Sequence, residues 1–151
     1  MSTESRVLII EDNDVLRVML FTILRHQPLG VDTATTAAEA LEKTAVCDYA
    51  LILIDADLPD GQATEFLTRF DAEYPAATTF IVGVRGPDSE PLVHARVGAV
   101  LNKPLEIDTL AELVRECAAV VPPPEEPSLQ CPPAESEIRA RLDRSGSYYS
   151  N

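Results

Sequence analysis

Apolar residues along this chain alternate between two kinds of pattern. Arg6 to Ile10 (RVLII) and Tyr49 to Ile54 (YALILI) are nearly continuous apolar runs rich in branched side chains, the pattern of strands covered on both faces. Phe80 to Val84 (FIVGV) and Ala99 to Leu101 predict two more strands, and Val31 to Ala34 a weaker, edge-like one. Between them the period changes to that of helices. Leu16, Met19, Leu20, Ile23 and Leu24 follow i, i+3, i+4, i+7 spacing behind a cap at Asn13 or Asp14, and the helix should end at Arg25, His26 and Pro28. Thr36-Ala-Ala-Glu39 is a capping box that starts a short helix running to about Thr44. Ala63, Phe66, Leu67 and Phe70 mark a third helix before Pro75. A fourth is expected around Glu90 to Val97, stopped by Gly98, and a fifth through Ile107, Leu110, Val114, Cys117 and Val121. Strands alternating with helices in this way predict βα units and a parallel sheet.

The 151 residues suit one ordinary domain. Composition changes near position 121: residues 122–151 hold six of the twelve prolines, and PPPEEPSLQCPPAESE favours extended chain, so this part is expected to be a linker or disordered tail. Within it SEIRARLDR, with Ile138 and Leu142 four apart, is marginal as an isolated helix. Residues 1–121 carry 9 basic and 20 acidic side chains of a chain whose net charge is −13. Such an excess of carboxylates repels phosphate backbones and argues against direct nucleic-acid binding. No apolar run approaches the length of a membrane span. Cys47, Cys117 and Cys131 form an odd, widely spaced set, which reads as the reduced thiols of a soluble, cytoplasmic protein; Cys47 and Cys117 are expected as small buried hydrophobes and Cys131 as an exposed thiol without a partner.

Chemistry in an open parallel sheet gathers beyond the carboxyl ends of its strands. Glu11 and Asp12 follow the first strand, Asp55 follows the third and Lys103 the fifth. With the first and third strands adjacent, the three carboxylates share a small volume, where repulsion raises their pKa values or demands a cation. Mg²⁺ is the hard ion that such oxygens suit, and a lysine is a fitting point charge for a phosphoryl oxygen.

RVLIIEDN, then LILIDADLPDG, then LNKP, in that order and spacing, resemble the receiver domain of bacterial two-component response regulators over residues 5–121. The resemblance implies a flavodoxin-like, doubly wound α/β fold with a five-stranded parallel sheet of order 2-1-3-4-5 and helices on both faces. It implies that Asp55 is the phosphoacceptor, taking a phosphoryl group from a sensor histidine kinase or phosphotransfer protein, and that the chain is a signalling domain rather than an enzyme. Glu11, Asp12 and Asp55 would ligate Mg²⁺ together with the main-chain carbonyl of Asp57. Lys103, followed by Pro104 across a bond often cis in the family, would hold a phosphoryl oxygen, and Pro59 matches the family's proline. Output would pass to a downstream protein partner, with homodimerisation through the fourth helix, fifth strand and fifth helix as a family expectation.

Two positions depart from that pattern. Arg85 stands where the family keeps Ser or Thr, and Val100 where it commonly has Tyr or Phe. Arg85 is expected either to accept phosphoryl oxygens or to lie across Asp55 and Asp12 in the unmodified chain. The alternative function is therefore a phosphorylation-independent pseudo-receiver that binds partners constitutively. Asp55-Ala-Asp57 also resembles the nucleophile motif of haloacid-dehalogenase phosphatases, but Pro59 replaces the Thr or Val those enzymes want. His26 and His94 read as ordinary helix residues.

Overall fold

Five short strands, β1 (Arg6–Ile10), β2 (Gly30–Ala34), β3 (Leu51–Asp55), β4 (Phe80–Arg85) and β5 (Val97–Asn102), are found where the apolar runs predict them. All pair in parallel, in the order β2-β1-β3-β4-β5. The structure is a computed structural model that describes residues 5–90, 92–105, 107–120 and 130–149, with the side chains of residues 107, 117, 118, 120 and 145–149 outside that description. Val121, Pro122 to Pro124, Pro127 and the Cys117 side chain therefore lie outside the described residues.

The continuous apolar runs are explained by two cores. Successive side chains of a strand point to opposite faces. Leu8, Ile10, Ile52, Ile54 and Ile81 face one layer, formed by α2 (Ala37–Val46) and α3 (Gln62–Glu73) through Ala37, Ala40, Phe66, Leu67 and Phe70. Val7, Ile9, Leu51, Leu53 and Val82 face the other, formed by α1 (Asp14–Leu24) and α4 (Ile107–Val120) through Leu20, Leu24, Leu110 and Val114. The expected caps are present: Asn13 Oδ1 accepts from Leu16 N at 3.0 Å, and Thr36 Oγ1 accepts from Glu39 N at 3.1 Å. The Glu39 carboxylate faces Lys43 at 3.7 Å.

Three expectations are corrected. The helix expected over Glu90–Val97 is not formed: the described residues between β4 and β5 run through turns, and Gly98 lies inside β5 rather than capping a helix. Among the described residues Leu92 and Val97 pack on the core, five apart, while Val93 stays exposed, so no apolar stripe of helical spacing is buried. Arg96 instead anchors the segment to the end of α3, donating to Tyr74 O at 2.9 Å and Ala77 O at 3.2 Å and lying 5.3 Å from the Phe70 ring centroid. Gly98 is the extra residue of a bulge, since Val97 pairs Ile81 and Ala99 pairs Val82. A Cβ there would stand 2.4 Å from the Phe80 ring.

Secondly, residues 130–149 are not the disordered tail that composition suggested. A fifth helix, α5 (Glu135–Tyr149), lies against β2. As the sheet's edge, β2 offers outward N–H groups that must find acceptors. Ser136 Oγ takes Val31 N at 2.8 Å and Glu135 Oε1 takes Thr33 N at 3.0 Å. Gly30 allows the close approach, because a Cβ there would come within 2.9 Å of Ala134 Cβ. Thirdly, Cys47 and Cys131 are joined in a disulfide, their Cα atoms 5.0 Å apart, so Cys131 has a partner and the thiol argument for a cytoplasmic protein lapses. No described helix is long and apolar enough to cross a membrane.

Candidate functional site

The carboxyl ends of β1, β3 and β5 meet at one end of the sheet. Parallel pairing sets Ile10 beside Ile54, so Glu11 and Asp55 leave neighbouring strands at the same level. Glu11 is held in extended geometry by its N–H bond to Ala34 O at 2.9 Å, and Asp12 stands exposed just before the Asn13 cap. Ligand oxygens of Glu11, Asp12 and Asp55 lie within 4.8 Å of one another. Glu11 and Asp55 are buried, 1% and 5% exposed.

Neither Glu11 carboxyl oxygen meets a hydrogen-bond donor among the described residues. Burial first, then contact with and charge of Asp55, pushes Glu11 up to about 9. Two buried acceptors without donors, facing a second buried carboxylate, leave a demand for positive charge that a hard divalent cation fits.

Lys103 supplies the resident positive charge. Its Nζ lies 3.1 Å from Asp55 Oδ1 and 3.4 Å from Asp57 Oδ2. Lys103 N donates to Arg85 O at 2.8 Å at the end of the β4–β5 pairing, and the Lys103–Pro104 bond is cis. Burial works against the ammonium, but its bond to Asp55 and the charges of Asp55, Glu11 and Asp57 outweigh it and hold Lys103 above its ordinary value. Asp55 Oδ1 also accepts from Asp57 N at 2.9 Å. Among the described residues both nitrogen donors of Asp55 bond Oδ1 and none bonds Oδ2, so one carboxylate oxygen is fixed by N–H groups and the other is not.

The Asp57 carboxylate, half exposed, is held below its usual range by the Ser89 hydroxyl, a hold opposed by burial and reinforced by Gly86 N and Lys103. Asp57 Oδ2 accepts from Gly86 N at 3.2 Å, tying the loop after β3 to the loop after β4. Pro59 opens a single 3-10 turn, Pro59–Gly61, whose Asp60 and Gly61 have φ of 59° and 68° and turn the chain into α3.

Arg85 does not lie across Asp55 and Asp12 in this unmodified chain. Its guanidinium donates to Ser89 O at 2.8 Å, and it forms no ion pair with a carboxylate among the described residues. Val100 is 43% exposed on β5. Sequence reasoning missed Ser89 and Arg17. Ser89 closes the β4 loop on Gly86 N at 2.8 Å, and Arg17 bonds the Glu11 carbonyl at 3.2 Å from one turn into α1. Arg17, six residues after Glu11 on the first turns of a capped helix, had a legible spacing; Ser89 had none.

The comparisons with known proteins agree with this geometry. The family model of the response regulator receiver domain matches residues 7–115. The chain is 31% identical over 113 residues, 74% of its length, to the KDP operon transcriptional regulatory protein KdpE of Escherichia coli strain K12, of which it covers 50%. It is 32% identical over 90 residues, 60% of its length, to protein-glutamate methylesterase/protein-glutamine glutaminase 1 of Anaeromyxobacter dehalogenans strain 2CP-C, of which it covers 26%. The chain thus spans half or less of these two relatives. A CheY-like response regulator receiver domain of Methanospirillum hungatei JF-1 superposes with a TM-score of 0.68 at 27% identity, over 78% of this chain and 95% of that one. With the family model, the strand order and the clustered acids in agreement, the chain belongs to the receiver domains of two-component response regulators.

Proposed function

We propose that this receiver domain accepts a phosphoryl group on Asp55 from a phosphohistidine of a sensor kinase or phosphotransfer protein, and signals by binding a protein partner. The observation that carries the reading is the differentiated Asp55 carboxylate: Oδ1 is held by Asp57 N and Lys103 Nζ, while Oδ2 meets no nitrogen donor among the described residues. In this reading Oδ2 attacks phosphorus in line as the bond from phosphorus to the histidine nitrogen breaks, and the imidazole leaves as its electron pair returns to nitrogen. Lys103 then moves its ammonium from Asp55 Oδ1 to a phosphoryl oxygen, which keeps the charge compensated. Glu11, Asp12, Asp55 and the Asp57 carbonyl would hold Mg²⁺, which when bound offsets the negative charge of the carboxylates and the incoming phosphoryl oxygens. Arg85 keeps the Gly86–Ser89 turn in place, and Asp57 bonded to Gly86 N links the phosphoacceptor loop to that turn. In this reading residues 5–121 carry the receiver chemistry, and α5 docks on β2 beside them.

Intact-mass measurement after incubation with a small-molecule phosphodonor and Mg²⁺, beside Asp55→Asn, tests this. A single phosphoryl adduct in the wild-type chain alone is the expected result. A folded wild type without adduct, from the small donor and from a cognate kinase alike, makes the phosphorylation-independent pseudo-receiver the better reading.

A further inference from the structure

Residues 131–136 cross the β2 edge as a strap whose fastening is mostly polar and covalent. Among the described side chains, apart from Ala134, which is fully buried, and Cys131, which packs on the core, little apolar surface holds it: Ile138 and Leu142 of α5 are exposed. The polar hold is specific. Asp32 Oδ1 accepts from Glu135 N at 2.9 Å, Lys43 Nζ meets Glu135 Oε1 at 2.6 Å, and Arg25 pairs with Asp143 at 2.9 Å. Hydrogen bonds and partly exposed ion pairs of this sort contribute little each. The covalent link is therefore the largest single restraint, joining positions 84 residues apart.

The surroundings of that link are built for exchange. Cys47 is buried under the α2–α3 layer, whereas Cys131 lies at the partly exposed surface. Arg6 places a guanidinium nitrogen 2.6 Å from Cys131 Sγ and 2.7 Å from Pro132 O, while pairing Asp32 at 2.7 Å with its other nitrogen. A fixed cation beside a sulfur stabilises its thiolate, which makes the bond to it easier to break.

We infer that Cys47–Cys131 is a thiol-reversible clasp whose reduction by a dithiol releases residues 130–149 and bares the β2 edge, giving this domain a redox-controlled strand edge. The inference does not depend on phosphorylation of Asp55. One thiolate of the dithiol attacks a sulfur of the disulfide, the S–S bond breaks, and the departing cysteine sulfur leaves as a thiolate that takes a proton. The second thiol then attacks the mixed disulfide, so the protein gains two electrons and two protons as two cysteine thiols and the dithiol becomes a disulfide. Without the link, Val31 N and Thr33 N lose Ser136 Oγ and Glu135 Oε1 whenever the strap lifts, and the edge presents two unpaired donors suited to an added extended strand.

The test is thiol counting and amide exchange on the full chain. After oxidation with oxidised glutathione, alkylation in denaturant without reductant should modify one of the three cysteines, and after dithiothreitol all three. Hydrogen exchange of a peptide spanning residues 30–34 should rise at least tenfold on reduction, and Cys131→Ser should show the fast exchange with or without dithiothreitol, while residues 51–55 of β3 stay protected in every case. Three reactive thiols in the oxidised chain would overturn the clasp. Equal exchange at residues 30–34 in both redox states would overturn the release, and loss of protection in β3 as well would show global unfolding in its place.

Discussion

On the β1 side of β3, the strand ends hold Glu11, Asp12 and Asp55 against Lys103 in a partly buried cluster, whereas on the β4–β5 side the chain carries a guanidinium turned to a backbone carbonyl, a small exposed valine and no helix between the strands among the described residues. The first flank is constrained by charge: two buried carboxylates require a nearby cation, so the position of each side chain is set by the others. The second is constrained by a few local bonds, Arg96 to the end of α3 and Ser89 to Gly86. On the function proposed above, the first flank would accept the phosphoryl group, while the second is built from different local contacts. Among the described residues no helix stands between β4 and β5, so the pairing face that the resemblance implies lacks one of its elements.

The sharpest way to break this comparison is at the charged cluster. Asp55→Asn should abolish the phosphoryl adduct, and Lys103→Ala should slow its formation about a hundredfold by removing the ammonium beside Asp55. A time course by intact mass measures both; a Lys103→Ala rate near wild type would remove the distinction between the flanks. Stability should divide along the same line. Phe66→Ala, in the core beneath the site, should cost about 3–5 kcal/mol, and Val100→Ala, on the open flank, under about 0.5 kcal/mol, in urea denaturation.

The pH dependence of the metal-free chain isolates Glu11. Its folded-state value of about 9 lies above the ordinary 4.5, so the native state binds the proton more tightly than the unfolded one. The stability this confers is fully present below about 4.5 and is lost as pH rises through about 9. The urea midpoint of wild type should therefore fall across that range more steeply than that of Glu11→Gln, and Mg²⁺ should shrink the difference by favouring the proton-free carboxylates; parallel profiles without metal would show that Glu11 is not the group responsible. The smallest effect is expected at Arg85. Because its guanidinium is spent on Ser89 O, Arg85→Ala should change adduct yield or lifetime by less than about fivefold. A larger change would place the side chain on the phosphoryl group after transfer and join the two flanks.

Much of the site was legible because its information is local. Glu11 and Asp12 directly follow one apolar run, Asp55 another and Lys103 a third, and in a parallel sheet the residue after a strand emerges at the carboxyl end whatever surrounds it. The Asn13 and Thr36 caps were legible for the same reason, a side chain bonding an amide three residues on. The bond of Arg85 to Ser89 O is not legible in the sequence, because a long side chain chooses among neighbours that only folding assembles. The segment before Gly98 was misread for a related reason: Gly98 was taken as a helix stop, yet it is the bulge residue on which the Phe80 ring rests.

By itself, then, the sequence determined the alternation of strands and helices, the two buried faces of the sheet and the row of charged residues at its carboxyl end, since period, caps and strand-end position act over a few residues. The tertiary structure alone decided that Cys47 pairs with Cys131, that residues 130–149 close the β2 edge, and that Arg96 and Leu92 take the place of a helix beside β5. Each of these joins groups far apart in the chain through a single bond or a shape match, and such matches leave no periodic trace in composition.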